Sequence, residues 1–430
     1  MKLQTLQCYV LAIFGLLLSG CASIPGYMMT QIKTDVGETF LIHKQNTSLK
    51  WSVGSHVMLA EVSSNRLALS YLPGGELGGP AVYPWPSYTD DKGKTWSFGD
   101  PFNADTNGLV SRRPFFVGEG EKFPKYYHGI FFSGARFSNG VRVFYDGYTT
   151  RPLYSVLSIR SKDDGKTWEK PQAITLSYPK ELTFEPDYLA LGPMAAVTSQ
   201  DVMYVVAGAL DRKKVKLTTI LYKSEDRGKT LTPVGVVAEL RHARFGKMAH
   251  GPGEPAIIAL SDTELICVMR TGTRQGTAGI SLNVEAEDML LARSLDGGLT
   301  WKRSRMHVQG VMPKVIRMSN GILVLATGRP GNRIYFSVDG GRHWGGEVQL
   351  SPYSHMSSGY MDIKEVEPGK LLVVYDMINS PLPPNLQADG GDGAVKKVGD
   401  FLYTVLIGPL EKSGKVYNQI LGCYIDVAPR

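Results

Sequence analysis

Six residues of this chain carry reactive or charged groups at a recurring spacing: His56, Glu254, Arg270, Arg329, Tyr360 and Asp376. Glu254 lies eight residues before Asp262 and Arg270 eight after it. Tyr360 and Asp376 flank Pro368 in the same way, and His56 and Leu72 flank Ser64. Ser64, Asp262 and Pro368 each sit in a short polar turn between apolar segments, and Arg329 follows the second segment after a similar turn at Asn320. Residues equidistant from a hairpin turn are cross-strand neighbours, so the six are expected at equivalent ends of their hairpins. Their types suit one chemistry. Two guanidiniums hold a carboxylate by charge-assisted bidentate hydrogen bonds. A tyrosine is a poor nucleophile until a carboxylate base stands next to it. As an uncharged nucleophile it also avoids the repulsion that a carboxylate would exert on an anionic substrate.

The hairpins that must position these residues recur along the chain. Their turns centre near Ser64, Asn139, Gln200, Asp262, Asn320 and Pro368, about 75, 61, 62, 58 and 48 residues apart. Segments 57–61 with 67–71, 315–318 with 322–326 and 361–366 with 370–375 read as paired strands, alternating or wholly apolar. Four short antiparallel strands need about that much chain. The expectation is an all-β fold, a six-bladed β-propeller of four-stranded blades. Residues 39–43 are expected to supply the missing outer strand of the last blade and close the ring, since an unclosed propeller leaves strand edges exposed. Residues 381–393, rich in Pro and Gly, read as a surface loop.

An octapeptide recurs five times: Thr89 to Trp96, Ser161 to Trp168, Ser224 to Leu231, Ser294 to Trp301 and Ser337 to Trp344. The shared form is Ser-x-Asp-x-Gly-x-Thr-Trp. The Asp is suited to cap its own turn through backbone amides, the Gly to supply positive φ, and the Trp to fold back beneath the turn. The third copy has Leu231 for Trp and the fifth His343 for Thr, so weaker staples are expected there.

These repeats resemble the Asp-box of sialidases and related β-propellers, and the resemblance extends over roughly residues 45 to 380. In that family a Glu begins one blade strand and a substrate-clamp arginine ends its hairpin partner; Glu254 in Gly-Glu-Pro and Arg270 in Val-Met-Arg match. Arg329 in Gly-Arg-Pro matches a further clamp arginine. Tyr360 after Gly359 matches the nucleophilic tyrosine, with Tyr375-Asp376 in place of the commoner Tyr-Glu. The first blade departs from the pattern: its arginine motif is replaced by Gly54-Ser55-His56-Val57-Met58, which puts His56 at the substrate in place of arginine. The resemblance implies an acid/base carboxyl upstream of the first octapeptide, and Glu76 is the nearest acid.

The implied activity is an exo-glycosidase removing a terminal acidic sugar, an α-linked sialic acid for preference, with Tyr360 as nucleophile, Glu254 as its base, Glu76 as acid/base, and Arg270, Arg329 and His56 binding substrate. The missing clamp arginine leaves another acidic sugar open. Two other readings stand beside it. One is a uronate-directed lyase or unusual glycosidase, in which His56, His128 or His250 moves protons. The other is a glycan-binding lipoprotein without catalysis. Arg136 is a further candidate near a strand end. No zinc-type Cys/His spacing and no phosphate-cradling glycine motif occurs, and no cofactor is expected.

Composition narrows the partners. The 430 residues hold 47 Lys and Arg against 40 Asp and Glu, a net charge of +7, without a run of five like charges. Nucleic acid is therefore not an expected partner, while acidic glycans are. A monomer is expected. The N-terminus reads as a targeting segment: Lys2, an apolar run from Tyr9 to Leu18, then Leu18-Ser19-Gly20-Cys21. About ten apolar residues are too few to span a bilayer and match a signal-peptide core. The tetrapeptide resembles a bacterial lipoprotein cleavage box, which implies residues 1–20 removed, Cys21 acylated, residues 21–29 as a tether, residues 30–430 as the propeller, and a lipid anchor in the cell envelope. Cys267 and Cys423 are the cysteines left, so no disulfide scaffold is expected.

Overall fold

The computed structural model describes residues 32–44, 55–72, 87–98, 133–145, 148–150, 154–170, 172–211, 216–241, 252–271, 288–328, 331–351, 355–356, 359–381 and 418–430. These residues form six antiparallel sheets, the six blades of a propeller. Blade one consists of Ser55–Glu61, Leu67–Leu72, Ser87–Thr89 and Ser97–Phe98, in that order from the centre outwards. Blade two runs Ser133–Arg136, Arg142–Tyr145, Ser155–Ser161 and Gln172–Thr175. Blade three has Tyr188–Val197, Met203–Asp211, Lys216–Ser224 and Thr232–Arg241, with Tyr148–Thr150 added beside its first strand. Blade four is Gly253–Ala259, Leu265–Arg270, Asp288–Ser294 and Lys302–Gln309. Blade five is Val311–Arg317, Leu323–Gly328, Asn332–Ser337 and Gly345–Gln349.

Blade six shows how the ring closes. Met361–Glu367 and Lys370–Pro381 are followed by Asn418–Pro429 from the C-terminus. Two N-terminal strands then cover the outer edge of Asn418–Pro429: Ile32–Val36 pairs with its last residues and Phe40–Lys44 with its first. The expected closing strand is present, extended by a second one. The first and last described strands thus share one blade, and the exposed strand edge is paired.

The apolar residues pack as layers between blades rather than as one central core. Ala60 and Val62 meet Phe144 and Ile159 between blades one and two. Val143 and Val156 meet Val205 and Ile220 between two and three, and Val206 and Leu221 meet Ile257 and Cys267 between three and four. Ile266 and Val268 meet Leu323 and Leu325 between four and five, Val324 and Phe336 meet Val373 and Ile425 between five and six, and Leu372 and Val374 meet Val57 and Leu69 where six returns to one. A middle strand is therefore buried on both faces, as all six residues of Leu323–Gly328 are, and reads as a nearly continuous apolar run.

The octapeptides form the turns between third and fourth strands, and their hydrogen bonds repeat. In the second copy, Asp163 Oδ1 accepts from the Thr167 amide (2.8 Å), Oδ2 from the Thr167 hydroxyl (2.6 Å), and the Gly165 amide donates to Ser161 Oγ (2.8 Å). The Trp168 indole donates to the Gly165 carbonyl at 3.2 Å. The two divergent copies meet the expectation of weaker staples in part: the Trp344 indole nitrogen of the fifth copy is buried without a hydrogen-bond partner, while the bonds to the aspartate persist in both. His343 keeps both contacts to Asp339, through its amide at 3.0 Å and its ring Nδ1. Thr230 keeps both to Asp226 (3.0 and 2.7 Å). Where the third copy lacks an indole, the Tyr145 hydroxyl of blade two donates to the Gly228 carbonyl instead, at 2.8 Å.

Turns of neighbouring blades are linked on this same face. Ser64 bonds Asp164 through amide and hydroxyl, Ser138 bonds Asp201 the same way (both 2.8 Å), Ser199 bonds Asp262 (2.7 Å), and Ser319 bonds Glu365 (both 2.7 Å). Lys92 of blade one meets Glu367 of blade six at 2.9 Å. The first described strand begins at Ile32, opposite Pro429, at this turn-bearing end of blade six.

Candidate active site

At the opposite ends of the inner strands, three consecutive blades converge on Glu254. Its backbone is unusual: φ is +48°, a region that side-chain-bearing residues seldom occupy. The register explains why. Gly253 pairs with Arg270 and Ala256 with Val268, so Glu254 and Pro255 oppose the single residue Met269 in a β-bulge. Pro255 has no N–H to give a ladder, and a bulge accommodates that. Gly192 of blade three packs directly below: a Cβ there would stand 2.4 Å from the Pro255 carbonyl oxygen. The equidistance expected for Glu254 and Arg270 is therefore corrected by one residue. Arg270 faces Gly253, and the bulge turns Glu254 towards the other blades.

The carboxylate is held from three sides. Glu254 Oε1 accepts from the Tyr360 hydroxyl of blade six at 2.9 Å and from Arg270 Nη1 of its own blade at 3.0 Å. Oε2 accepts from the Met312 amide of blade five at 2.8 Å. Met312 (φ +45°) sits in an equivalent bulge, with Met312 and Pro313 opposing Thr327. Tyr360 is 3% exposed and packs against Val311 and Met312, whereas the side chains of Glu254 and Arg270 are 24% and 14% exposed. The phenol is thus fixed by its ring while its carboxylate partner keeps access to solvent.

Close backbone contact sets where Tyr360 stands. Gly359 has φ +75°, and a Cβ on Gly328 of blade five would lie 2.4 Å from Gly359 Cα. Glycine at 328 lets the end of blade five touch the residue preceding Tyr360. Deeper in the channel, Lys314 Nζ meets Asp362 Oδ2 at 3.3 Å, and Asp362 Oδ2 also accepts from the Leu59 amide of blade one at 2.9 Å. Lys314 is buried, and burial draws its pKa below the usual lysine range against the opposing pull of Asp362. Among the described residues, no cluster of three or more His, Cys, Asp or Glu is placed to hold a metal ion.

Of the residues expected at the site, the structure brings together Glu254, Arg270 and Tyr360. Asp376 is wholly buried beside Asn332, whose side-chain amide donates to the Asp376 carbonyl at 3.3 Å. Arg136 does not belong to the site. It adjoins the turn of its hairpin, opposite Arg142, and its guanidinium reaches Asp164 and Glu61 on the octapeptide face. It stands three residues from the turn centre, so it emerges at the wrong end. The backbone of His56 lies in a bulge of blade one, where His56 and Val57 replace Tyr71 in the count, the register position of Glu254 in blade four. Glu76, Arg329, His128, His250 and Cys21 lie outside the described residues. Sequence reasoning missed Met312, Lys314 and Asp362. The Met312 contact is made by a backbone amide, which no residue type announces, though the parallel Glu254-Pro255 and Met312-Pro313 mark both bulges. Lys314 was detectable as a charge among the apolar residues of its inner strand, whereas Asp362 shares its strand with Lys364, Glu365 and Glu367 and did not stand out.

No family model matches the chain. A curated sialidase of Bacteroides fragilis (strain YCH46) is 26% identical over 182 residues, 36% of this chain and 32% of that protein. The alignment thus spans about a third of that relative. Among solved structures, a Hadza microbial sialidase superposes with a TM-score of 0.53 at 17% identity, over 76% of this chain and 64% of that one. The fold is the sialidase propeller. The same propeller also carries other activities: an α-L-arabinofuranosidase of Fusarium graminearum superposes with a TM-score of 0.53 at 13% identity, over 91% of this chain and 98% of that one. Both of these solved neighbours, the sialidase and the arabinofuranosidase, are glycoside hydrolases, and at such identities the likeness speaks for fold rather than substrate.

Proposed function

We propose that this chain is a glycosidase of retaining type, an exo-α-sialidase, that uses Tyr360 as its nucleophile. The observation that carries the reading is the 2.9 Å hydrogen bond from the Tyr360 hydroxyl to Glu254 Oε1. A base within hydrogen-bond reach of a phenol is the requirement for activating it. In the first step Glu254 takes the phenolic proton, the phenolate oxygen bonds to the anomeric carbon, and the glycosidic bond breaks as Glu76 protonates the leaving oxygen. In the second step Glu76 takes a proton from water, the hydroxide attacks the anomeric carbon, and the tyrosyl–sugar bond breaks as Glu254 returns the proton to Tyr360. Two displacements retain configuration. Arg270 and Arg329 would hold the sugar carboxylate, with His56 at the place of the family's third arginine.

Acylated at Cys21, the protein would be anchored to a membrane of the cell envelope. Ile32, eleven residues beyond Cys21, lies on the octapeptide face, and an anchor approaching from that face would leave the site turned away from the lipid. Incorporation of labelled palmitate, lost in Cys21→Ser, tests the anchor.

Turnover of a fluorogenic α-sialoside tests the reaction. A panel that adds uronides and an α-L-arabinofuranoside decides between acidic and neutral sugars, and an ultraviolet-absorbing unsaturated product marks a lyase. Absence of turnover on every sialoside removes the sialidase assignment.

A further inference from the structure

Lys314 lies two residues beyond Met312, and Asp362 two beyond Tyr360. Those neighbours make two of the contacts that hold Glu254: the Met312 amide on Oε2 and the Tyr360 hydroxyl on Oε1. We infer that Lys314 and Asp362 are positioning residues for the nucleophile, their ion pair tying the strand that carries the Met312 amide to the strand that carries Tyr360. The inference rests on the reading of Tyr360 as nucleophile.

Blades five and six can slide against each other only as far as their inner strands allow. The Lys314–Asp362 contact at 3.3 Å crosses that junction within the channel, directly below the bulge of Met312 and Pro313. The same segment is pinned from a third direction. A bulge in blade three sets Gly192, Pro193 and Met194 against the single residue Val206, and Met194 Sδ accepts from the Val315 amide at 3.3 Å. Asp362 in turn accepts from the Leu59 amide, which adds blade one. Charged groups near this junction among the described residues include Glu254 and Arg270 of blade four, the Lys314–Asp362 pair of blades five and six, and buried Asp376 of blade six.

Stability alone is a poor account of this pair. Removing two ions from water costs about as much as their attraction returns, and apolar residues of similar volume often serve as well or better. What an ion pair supplies that apolar side chains do not is a directional contact of fixed length. A nucleophile displaced by about 1 Å loses on the order of 100-fold in rate, so such a contact below the site acts on the reaction more than on the fold.

The test is the full chain carrying Lys314→Met with Asp362→Asn, which removes both charges and keeps an acceptor for the Leu59 amide. The expected result is a folded protein whose kcat falls by about 100-fold while KM stays within about twofold, and whose crystal structure shows the Tyr360 to Glu254 contact opened beyond hydrogen-bond distance, about 3.5 Å. A folded double variant with that contact intact and kcat unchanged overturns the inference. A parallel fall in Tm and kcat with the contact intact also overturns it, by making the pair structural. If the wild-type protein turns over no sugar, the glycosidase reading fails, yet the crystallographic distance still decides whether the pair positions Tyr360.

Discussion

Tyr360 and Glu254 stand 106 residues apart, on blades six and four, and meet at 2.9 Å across an intervening blade that also bonds the same carboxylate. Tyr360→Phe removes the reacting oxygen and leaves Glu254 bonded to Arg270 and Met312. It is expected to abolish sialoside turnover while costing about 1 kcal/mol of stability, the usual worth of one hydrogen bond. Glu254→Gln keeps the shape and removes the base, so kcat should fall by about 10²- to 10⁴-fold. Steady-state kinetics beside a thermal melt separate the two effects.

Gly328→Ala puts a methyl group 2.4 Å from Gly359 Cα, and backbone cannot give way as a flexible side chain can. A loss of about 1 to 3 kcal/mol is expected, typical of overpacking, with a larger fall in kcat than in KM because Gly359 precedes Tyr360. Gly235→Ala is the control: a Cβ there has nothing within 4 Å. Urea denaturation should show it within about 0.5 kcal/mol of wild type. A Gly328→Ala enzyme of normal kcat would show that the close approach does not place the nucleophile.

The octapeptide aspartates set a pH dependence of stability. Hydrogen bonds from the Thr167 side chain and amide hold Asp163 at a pKa of about 2, and those from Thr300 hold Asp296 at about 2. A carboxyl whose pKa falls on folding stabilises fully above its unfolded value, near 3.9, and loses that contribution as pH drops towards the folded value. Tm should therefore decline between about pH 4 and pH 2. Asp163→Asn with Asp296→Asn should flatten that decline and lower Tm at neutral pH, read by calorimetry across the range.

Tyr145→Phe probes the substitute staple in the third octapeptide. It strips the Gly228 carbonyl of its donor in a buried setting, which costs about 1 to 3 kcal/mol. Trp168→Phe removes the equivalent donor from Gly165 in the second copy and should cost a similar amount. Equal Tm values for Tyr145→Phe and wild type would show that the tyrosine plays no such part.

The local periodicities were legible because they are local. Each octapeptide closes its own turn, so Asp163, Gly165 and Thr167 show their roles within eight residues. Six hairpins at near-regular spacing specify six blades, since each blade has apolar faces that only a neighbour can cover. The sequence also singled out Glu254, Arg270 and Tyr360, because hairpin arithmetic assigns each to a strand end. What that arithmetic could not contain was the bulge. Two residues opposing one, at Glu254-Pro255 and again at Met312-Pro313, move the pairing of Arg270 onto Gly253 and turn the carboxylate across the channel. The Met312 amide on Glu254, the Lys314–Asp362 pair and the Tyr145 hydroxyl on Gly228 likewise join residues from different blades. Such contacts depend on how blades are rotated and spaced once their layers pack, a property of the closed ring that no single segment carries.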